Sequence, residues 1–228
     1  MSEWWTYSLS DFLMFSARSY WRLTELYNRD VWPAQLVALA AGIVVLGCIV
    51  RSGARAQRVA YLVLGAGWAW VGWAYHLTRY ADINTGAPYF AAAFALQALL
   101  LWLCALRPGS LTTSPLRRRG GLLITGAGVL AYPLLALVDG HGWSRAEVFA
   151  IVPDPTAVVT FGVLLALRAH WLAWIIPLAW CAASSITLME LRLWQAWVPA
   201  TCAVLAITAG LAARQQERPL NSTADSPT

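Results

Sequence analysis

Long apolar stretches alternate with short polar connections along most of the chain. A helix that crosses a lipid bilayer needs about 20 mostly apolar residues. Seven stretches meet this requirement, and most of them contain no charged residue. They cover residues 32–50, 59–77, 88–106, 121–138, 148–167, 171–189 and 194–213. The pattern predicts an all-α fold, a polytopic transmembrane helical bundle with about seven spanning helices.

The segment before the first apolar stretch follows a different pattern. Between residues 8 and 29 the charged residues recur at helical spacing, and the apolar residues fall on another face. This predicts an amphipathic interfacial helix on the outer surface of the membrane. The alternative is that the helix caps the bundle and covers a cavity. The chain then divides into an outer-face segment (residues 1–31), a transmembrane domain (residues 32–213) and a polar cytoplasmic tail (residues 214–228), predicted to be disordered.

Composition and charge support a membrane protein and give it an orientation. The chain is 59% hydrophobic and 12% charged, whereas soluble domains are about a quarter charged. Of its 16 basic residues, ten lie in the first, third and fifth connections and the tail, and six lie on the other side among acidic residues. Because cytoplasmic loops collect basic residues, the amino terminus is predicted outside and the carboxyl terminus in the cytoplasm.

The same charges bear on partners and on enzyme class. The basic groups are spread over several juxtamembrane loops, which argues for the lipid bilayer and against nucleic acid as a partner. The run at residues 117–119 is interpreted as a topology signal in contact with anionic lipid. All basic residues are arginine, which excludes a retinal Schiff base and a P-loop lysine. The standard catalytic signatures and cofactor motifs are missing from the sequence, so no cofactor is predicted and an enzyme is the less favoured class.

The most informative stretch begins at Trp143. Ser144 and Glu147 have the spacing of a capping box before an apolar run. Pro153-Asp154-Pro155 then interrupts that run, because proline removes a backbone donor and restricts its predecessor. One interpretation is a broken helix of the kind that surrounds substrate in transporters. The other is that Pro-Asp-Pro begins a short helix at the outer surface, with Asp154 as its cap.

A second informative stretch ends the second apolar segment. Trp73, His76 and Tyr80 are predicted to share one helical face, with His76 at or just inside the outer interface. An ionisable residue there is costly without a partner. Candidate partners on that side are Asp82, His141, Asp154 and Glu190. A histidine in this place can relay protons or bind a metal, or it can be an ordinary hydrogen-bonded interfacial residue.

Glycines predict close packing of two helices. Gly65, Gly67 and Gly72 lie on the second apolar stretch, and Gly126 and Gly128 lie on the fourth. Small residues let helix backbones approach each other in lipid. Neither stretch contains a G-x-x-x-G sequence, so the signal is weak.

Four segments carry a family resemblance. They are W-x-Y-x-L-S-D-F-L-x-F-S at residues 5–16, E-L-Y-N-R-x-V-W-P-A-Q at 25–35, H-L-x-R-Y-x-x-I-N at 76–84 and P-D-P-T at 153–156. The chain resembles a bacterial membrane-protein family known by a domain-of-unknown-function label, whose members are sometimes called permeases. The resemblance covers the chain up to the polar tail. It implies a bacterial inner-membrane protein and supplies no substrate or catalytic residue.

The leading hypothesis is transport or sensing of a small solute or ion through a polar pocket. The pocket is predicted to open to the outside among the second, fifth and sixth helices, with the arginine binding an anion and the carboxylates carrying a proton or cation. Its predicted lining is His76, Arg79, Tyr80, Asp82, Asp154 and Glu190. Two alternatives stay open. One is a redox subunit that binds haem or metal through His76 and His141, and the other is a non-catalytic assembly or scaffold subunit of a membrane complex.

Overall fold

The protein folds as a bundle of helices. The structure, a computed structural model, describes residues 15–107, 109, 113–140 and 142–222, and these contain helices and no strand. The α-helices are α1 (Ala17–Asp30), α2 (Ala34–Arg51), α3 (Ala54–Trp70), α4 (Ala87–Leu106), α5 (Pro115–Gly126), α6 (Leu135–Val138), α7 (Pro153–Ala166), α8 (Leu172–Glu190) and α9 (Trp197–Ser222). The predicted all-α fold is confirmed.

Two of these helices continue in irregular helical geometry. A π-helix, Val71–Leu77, extends α3, and a 3-10 turn, Tyr80–Asp82, follows it. Another π-helix, Ala127–Ala131, leads from α5 into the 3-10 turn Tyr132–Leu134. Pro133 lies in that turn, and its missing N–H explains the local change of pitch. π-Helical turns occur often at functional sites.

Five described helices are long and apolar enough to cross a membrane. They are Ala34–Arg51, Ala87–Leu106, Pro115–Val138, Leu172–Glu190 and Trp194–Glu217. Many large apolar side chains on them face outward, among them Val37, Leu123 and Leu205 with 71%, 75% and 55% of their surface exposed. Such a surface suits a lipid environment and not water. The five helices fit a membrane protein, although seven spans were predicted.

The two remaining predicted spans differ from the others for physical reasons. The stretch at residues 59–77 lies on α3 and the π-helix that extends it, and tryptophans at the junction lower its hydropathy. The stretch at residues 148–167 is helical only over the 14 residues of α7. Fourteen residues span about 21 Å, less than the roughly 30 Å hydrocarbon core of a bilayer.

Helix α7 lies at the centre of the bundle. All residues from Pro153 to Ala166 are buried. At its crossing with α5 the two backbones touch, since a Cβ atom on Gly162 would lie 2.6 Å from the carbonyl oxygen of Gly121. Polar side chains of α7 form hydrogen bonds with other helices; for example, the Trp68 indole N–H donates to Thr160 Oγ1 at 2.8 Å. The core of the protein is therefore built around α7.

Helix α1 packs on the segment that leads into α7. Its first turn is capped by Ser16, whose hydroxyl accepts from Ser19 N at 3.2 Å. Tyr27 Oη donates to Ile151 O at 3.1 Å. Asn28 Nδ2 donates to Ser144 O at 3.0 Å and to Ala146 O at 2.9 Å. These bonds fix α1 across residues 144–151, while residues 1–14 of the predicted amphipathic segment lie outside the described part of the chain.

The carboxyl-terminal end is helical further than the sequence pattern indicates. The predicted disordered tail begins at residue 214, whereas α9 continues to Ser222. Arg117 accounts for part of this difference, because its Nε donates to Glu217 Oε1 at 3.1 Å and its Nη2 to Gly210 O at 3.2 Å. The guanidinium holds the last turns of α9 against α5.

Candidate functional site

The segment before α7 is buried although it is not helical. After the 3-10 turn Trp143–Arg145, residues 146–152 run as extended chain and turns. Thr156 holds this segment, since its hydroxyl accepts from Ala150 N at 2.9 Å and donates to Val152 O at 2.7 Å. Val152 is extended and Pro153 begins α7. Pro-Asp-Pro therefore starts a helix, and it does so inside the protein.

Asp154 lies in the first turn of α7 and is 2% exposed. Its carboxylate caps no backbone group of its own helix. It accepts instead from Trp180 Nε1 at 2.7 Å and from Ser184 Oγ at 2.8 Å. Both donors come from α8, one turn apart, and the helix N-terminus favours a negative charge nearby.

Glu147 is the second buried carboxyl group at this site, at 8% exposed. The hydroxyl of Tyr20 on α1 donates to Glu147 Oε1 at 3.0 Å. Burial raises the pKa of Glu147 from the ordinary 4.5 to about 8, the charge of Asp154 adds to the rise, and the hydrogen bond from Tyr20 opposes it. At neutral pH the proton therefore stays on Glu147, because an isolated buried charge costs far more than a neutral carboxyl.

Aromatic rings enclose His76 next to this pair. His76 is fully buried, with its ring centroid 4.5 Å from that of Phe94 and 5.0 Å from that of Trp180. Within the described residues, neither ring nitrogen of His76 has a hydrogen-bond partner. Trp180 thus touches His76 with its ring and donates its N–H to Asp154.

The structure brings together three of the six predicted pocket residues, His76, Tyr80 and Asp154. Tyr80 is buried, and its ring centroid lies 5.8 Å from that of His76. The other three are Arg79, Asp82 and Glu190. Arg79 pairs with Asp30 at 2.5 Å on the surface, and the other two are exposed.

The predicted shared face of Trp73, His76 and Tyr80 needs a correction. Trp73 is 58% exposed, whereas His76 and Tyr80 are buried. All seven residues from Val71 to Leu77 are π-helical, and the wider turn changes the angle between residues three apart. His76 therefore points inward although Trp73 points outward.

Four residues of the site were missed as site residues. They are Tyr20, Glu147, Trp180 and Ser184. The capping-box spacing assigned Glu147 to the backbone, but its carboxyl bonds Tyr20. Trp180 and Ser184 have a spacing of four, which places an indole N–H and a hydroxyl on one face of an apolar helix. That pattern is a usable signal for donors aimed at a buried acceptor.

Two cavities border the site. The smaller, about 20 Å³, lies among side chains that include Tyr20, Tyr80, Trp180 and Ser184. It is large enough for one water molecule. The larger is a groove of about 820 Å³ between α1, α2 and residues 143–148. Its volume falls within the range of about 300–1,000 Å³ typical of small-molecule sites.

The metal hypothesis has limited support among the described residues. His141 lies outside the described part of the chain. Among the described residues no group of three or more His, Cys, Asp or Glu side chains is placed to hold a metal ion. A haem bound through His76 and His141 stays a prediction from sequence.

One comparison with known proteins gives a match. A model of a family of unknown function, DUF6064, matches residues 17–219. The match includes α1 and every helix through most of α9. No match was found among curated proteins or among solved structures. The chain belongs to the DUF6064 family of unknown function.

Proposed function

We propose that this protein is a membrane protein that takes up and releases a proton at Glu147 and Asp154 and couples this step to transport or sensing of a small solute or ion. The observation that carries the proposal is the buried carboxyl pair. The two carboxyl groups accept hydrogen bonds from Tyr20, Trp180 and Ser184, and none of the ion pairs among the described residues involves either carboxyl. Ionisable residues buried in membrane proteins mark ion and proton pathways.

The placement of Arg145 favours a functional pair over a structural one. Arg145 lies two residues before Glu147, yet its Nε donates to Glu25 at 3.1 Å. A purely structural carboxylate in this position gains from a nearby guanidinium, since an uncompensated buried charge costs several kcal/mol. Arg145 instead pairs with Glu25, and Glu147 has no guanidinium partner within the described part of the chain and can hold a proton.

A short polar path supports proton movement at this end of the bundle. Tyr20 bonds Glu147 and also lines the small cavity beside Ser184, which bonds Asp154. Hydroxyls can accept and donate at once, so Tyr20 and Ser184 can pass a proton between the two carboxyls across this cavity.

The groove beside α1 is the proposed solute site. Ala146 and Val148, the neighbours of Glu147 on either side, both line it. Asn28 and Gln35 also line it, and their side-chain carbonyl oxygens are buried without a partner among the described residues. The arginine distribution supports an outside location for this groove in a bacterial inner membrane, with the carboxyl terminus in the cytoplasm.

Infrared titration tests the proton site directly. A protonated carboxyl has a C=O band that disappears on ionisation, so we expect a band that is lost with a midpoint near pH 8. Glu147→Gln should remove this transition, and Glu25→Gln, which changes a surface glutamate of α1, should leave it intact. A band unaffected by Glu147→Gln would contradict the proposal.

Reconstituted vesicles test the coupling. A pH gradient is imposed while uptake of a panel of small polar solutes and the internal pH are followed together. We expect Asp154→Asn and His76→Ala to change the proton movement that accompanies uptake. If both variants behave as the unchanged protein does, the coupling proposal is wrong even if Glu147 titrates as expected.

A further inference from the structure

A second large groove opens at the end of the bundle away from α1. It has a volume of about 740 Å³ and lies between the end of α7, the start of α8 and the last turns of α9. Arg168, His170 and Arg214 line one part of it, and Ile175, Leu178 and Ile207 line another. Arg168 and His170 lie in the connection between α7 and α8, and Arg214 lies about two turns before the end of α9. The apolar residues lie one to two turns from them along α8 and α9.

The charges in this groove are unequally matched. Its lining holds three arginines, Arg117, Arg168 and Arg214, against one carboxylate, Glu217. Arg117 is nearly buried and takes Glu217 at 3.1 Å. Arg168 reaches the same carboxylate only at 3.8 Å, with half of its side chain exposed. Two guanidinium groups therefore face the groove with little compensation.

The backbone at Arg168 is in the left-handed conformation that ends α7. Arg168 has φ of +53°. It follows the end of α7, where Ala169 N bonds Leu164 O at 3.0 Å and Arg168 N bonds Leu165 O at 3.4 Å. This is a Schellman ending, whose left-handed position favours glycine. Arginine occupies the position here, so glycine can replace Arg168 without a change of backbone conformation.

We propose that this groove binds an anionic phospholipid, with the headgroup phosphate between Arg168 and Arg214 and an acyl chain along Ile175 and Ile207. The choice of occupant follows from charge and from shape. Guanidinium groups pair with phosphate oxygens. Ile175 and Ile207 are 48% and 39% exposed on helices long enough to cross a membrane, so the apolar part of the groove continues into a lipid-facing surface. Basic pockets between membrane helices are typical sites for anionic headgroups.

The backbone ending supplies a clean variant and a matched control. Arg168→Gly removes the guanidinium while keeping the left-handed turn. Arg192 ends α8 in the same geometry, with φ of +57° and Leu193 N bonded to Leu188 O at 2.9 Å, at the opposite end of that helix. Arg192→Gly therefore repeats the backbone change outside the groove.

Native mass spectrometry of the full chain in detergent measures the binding. Phosphatidylglycerol, phosphatidylcholine and inorganic phosphate are added separately. We expect the protein to retain phosphatidylglycerol in preference to phosphatidylcholine. Each arginine removed should lower the affinity for phosphatidylglycerol about fivefold, first in Arg168→Gly and then in the double variant that also carries Arg214→Gln. Arg192→Gly should bind as the unchanged protein does.

Three results would overturn the proposal. One is equal retention of the two lipids, and another is a loss of phosphatidylglycerol in Arg192→Gly as large as in Arg168→Gly. The third is binding of inorganic phosphate at the same arginines without preference for the lipid, which would make the groove a soluble-anion site. A thermal unfolding scan of each variant verifies that the protein measured is folded.

Discussion

The central helix α7 and the peripheral helix α9 are both apolar, yet the hydrogen bonds of their polar side chains differ. On α7, Asp154 accepts from Trp180 and Ser184. Thr160 accepts from Trp68 while also donating to Thr156 O of its own helix. On α9, the exposed hydroxyl of Thr208 bonds back to its own helix. The buried side chains of α7 thus take part in contacts between helices, whereas the exposed hydroxyl of Thr208 is satisfied within α9. A change of the same chemistry should matter far more in the interior.

The carboxyl groups show the same contrast. Glu25, on the outward side of α1, accepts hydrogen bonds from Arg145 at 3.1 Å and Arg22 at 3.3 Å. Desolvation is the largest single influence on the pKa of Glu25 and raises it, but the hydrogen bonds and charges of Arg145 and Arg22 together outweigh it and lower the pKa. Glu147, on the buried side, accepts from Tyr20 and its pKa is raised. The perimeter carboxylate of Glu25 is thus paired with arginine, whereas the buried carboxyl of Glu147 is neutral because it holds a proton.

The largest difference in stability between an interior and a perimeter substitution is expected when a glycine is changed to alanine. A Cβ atom on Gly162 would lie 2.3 Å from Thr125 Oγ1 and 2.6 Å from the Gly121 carbonyl oxygen, whereas nothing lies within 4 Å of one on Gly126. Because backbone cannot move aside as a flexible side chain can, we expect Gly162→Ala to cost more than about 4–5 kcal/mol or to prevent folding. Gly126→Ala should be tolerated. Yield and thermal unfolding in detergent measure both, and a well-folded Gly162→Ala protein would contradict the described α5–α7 crossing.

The next largest difference is expected for aspartate. Asp154→Ala leaves the buried donors of Trp180 and Ser184 without an acceptor, so we expect a loss of about 2–4 kcal/mol in unfolding free energy. Asp30→Ala removes a surface pair with Arg79 whose side chains are 46% and 39% exposed, and the loss should be below about 1 kcal/mol. Chemical unfolding in mixed micelles compares the two. Asp154→Asn retains an acceptor and should recover most of the stability, and equal losses for Asp154→Ala and Asp30→Ala would remove the contrast.

Glu147→Gln should change the pH dependence of stability. The folded-state pKa of about 8 lies above the ordinary 4.5, so the folded protein binds the extra proton and stability falls as pH rises between these values. Between about pH 6 and pH 8 the unchanged protein should lose about 2 kcal/mol, at up to about 1.4 kcal/mol per pH unit, and Glu147→Gln should lose less. Below pH 4.5 the two should converge. Unfolding curves at several pH values measure this, and parallel profiles would mean that Glu147 is ionised in the folded protein.

The all-helical fold could be predicted from the sequence, because long apolar runs bounded by charged connections are typical of membrane helices. It did not identify the role of α7. An apolar run looks the same whether lipid or protein surrounds it, and periodicity does not separate the two. The length of the regular part separates them, since only 14 of the 20 residues in the run at 148–167 are in α7, which begins at Pro153.

The candidate site was predicted in part for a related reason. Arginine counts led to the prediction that His76 and Asp154 lie on the same side of the membrane, and in the structure both contact Trp180. The direction in which a side chain points around its helix depends on local pitch, so the π-helical turn that buries His76 and exposes Trp73 was not foreseen. Nor does sequence show that the helix backbones meet at Gly121 and Gly162 instead of at Gly126.

The smallest effect is expected for Glu25→Gln at the perimeter. Glu25 is ion-paired with Arg22 and Arg145 near the surface, so its contribution is screened by salt and partly offset by the ordering of long side chains. Its lowered pKa means that the stabilisation is present above the ordinary value of 4.5 and is lost as pH falls through the folded-state pKa. The difference between Glu25→Gln and the unchanged protein should therefore be small at neutral pH, shrink on raising salt from about 0.05 M to 0.5 M, and vanish in acid. The sign is opposite for Glu147→Gln: as pH rises from acid to neutral, the unchanged protein gains stability relative to Glu25→Gln and loses stability relative to Glu147→Gln. If thermal unfolding showed the unchanged protein gaining stability relative to both glutamate variants as pH rises, or losing it relative to both, the contrast between a paired perimeter and a protonated interior would be lost.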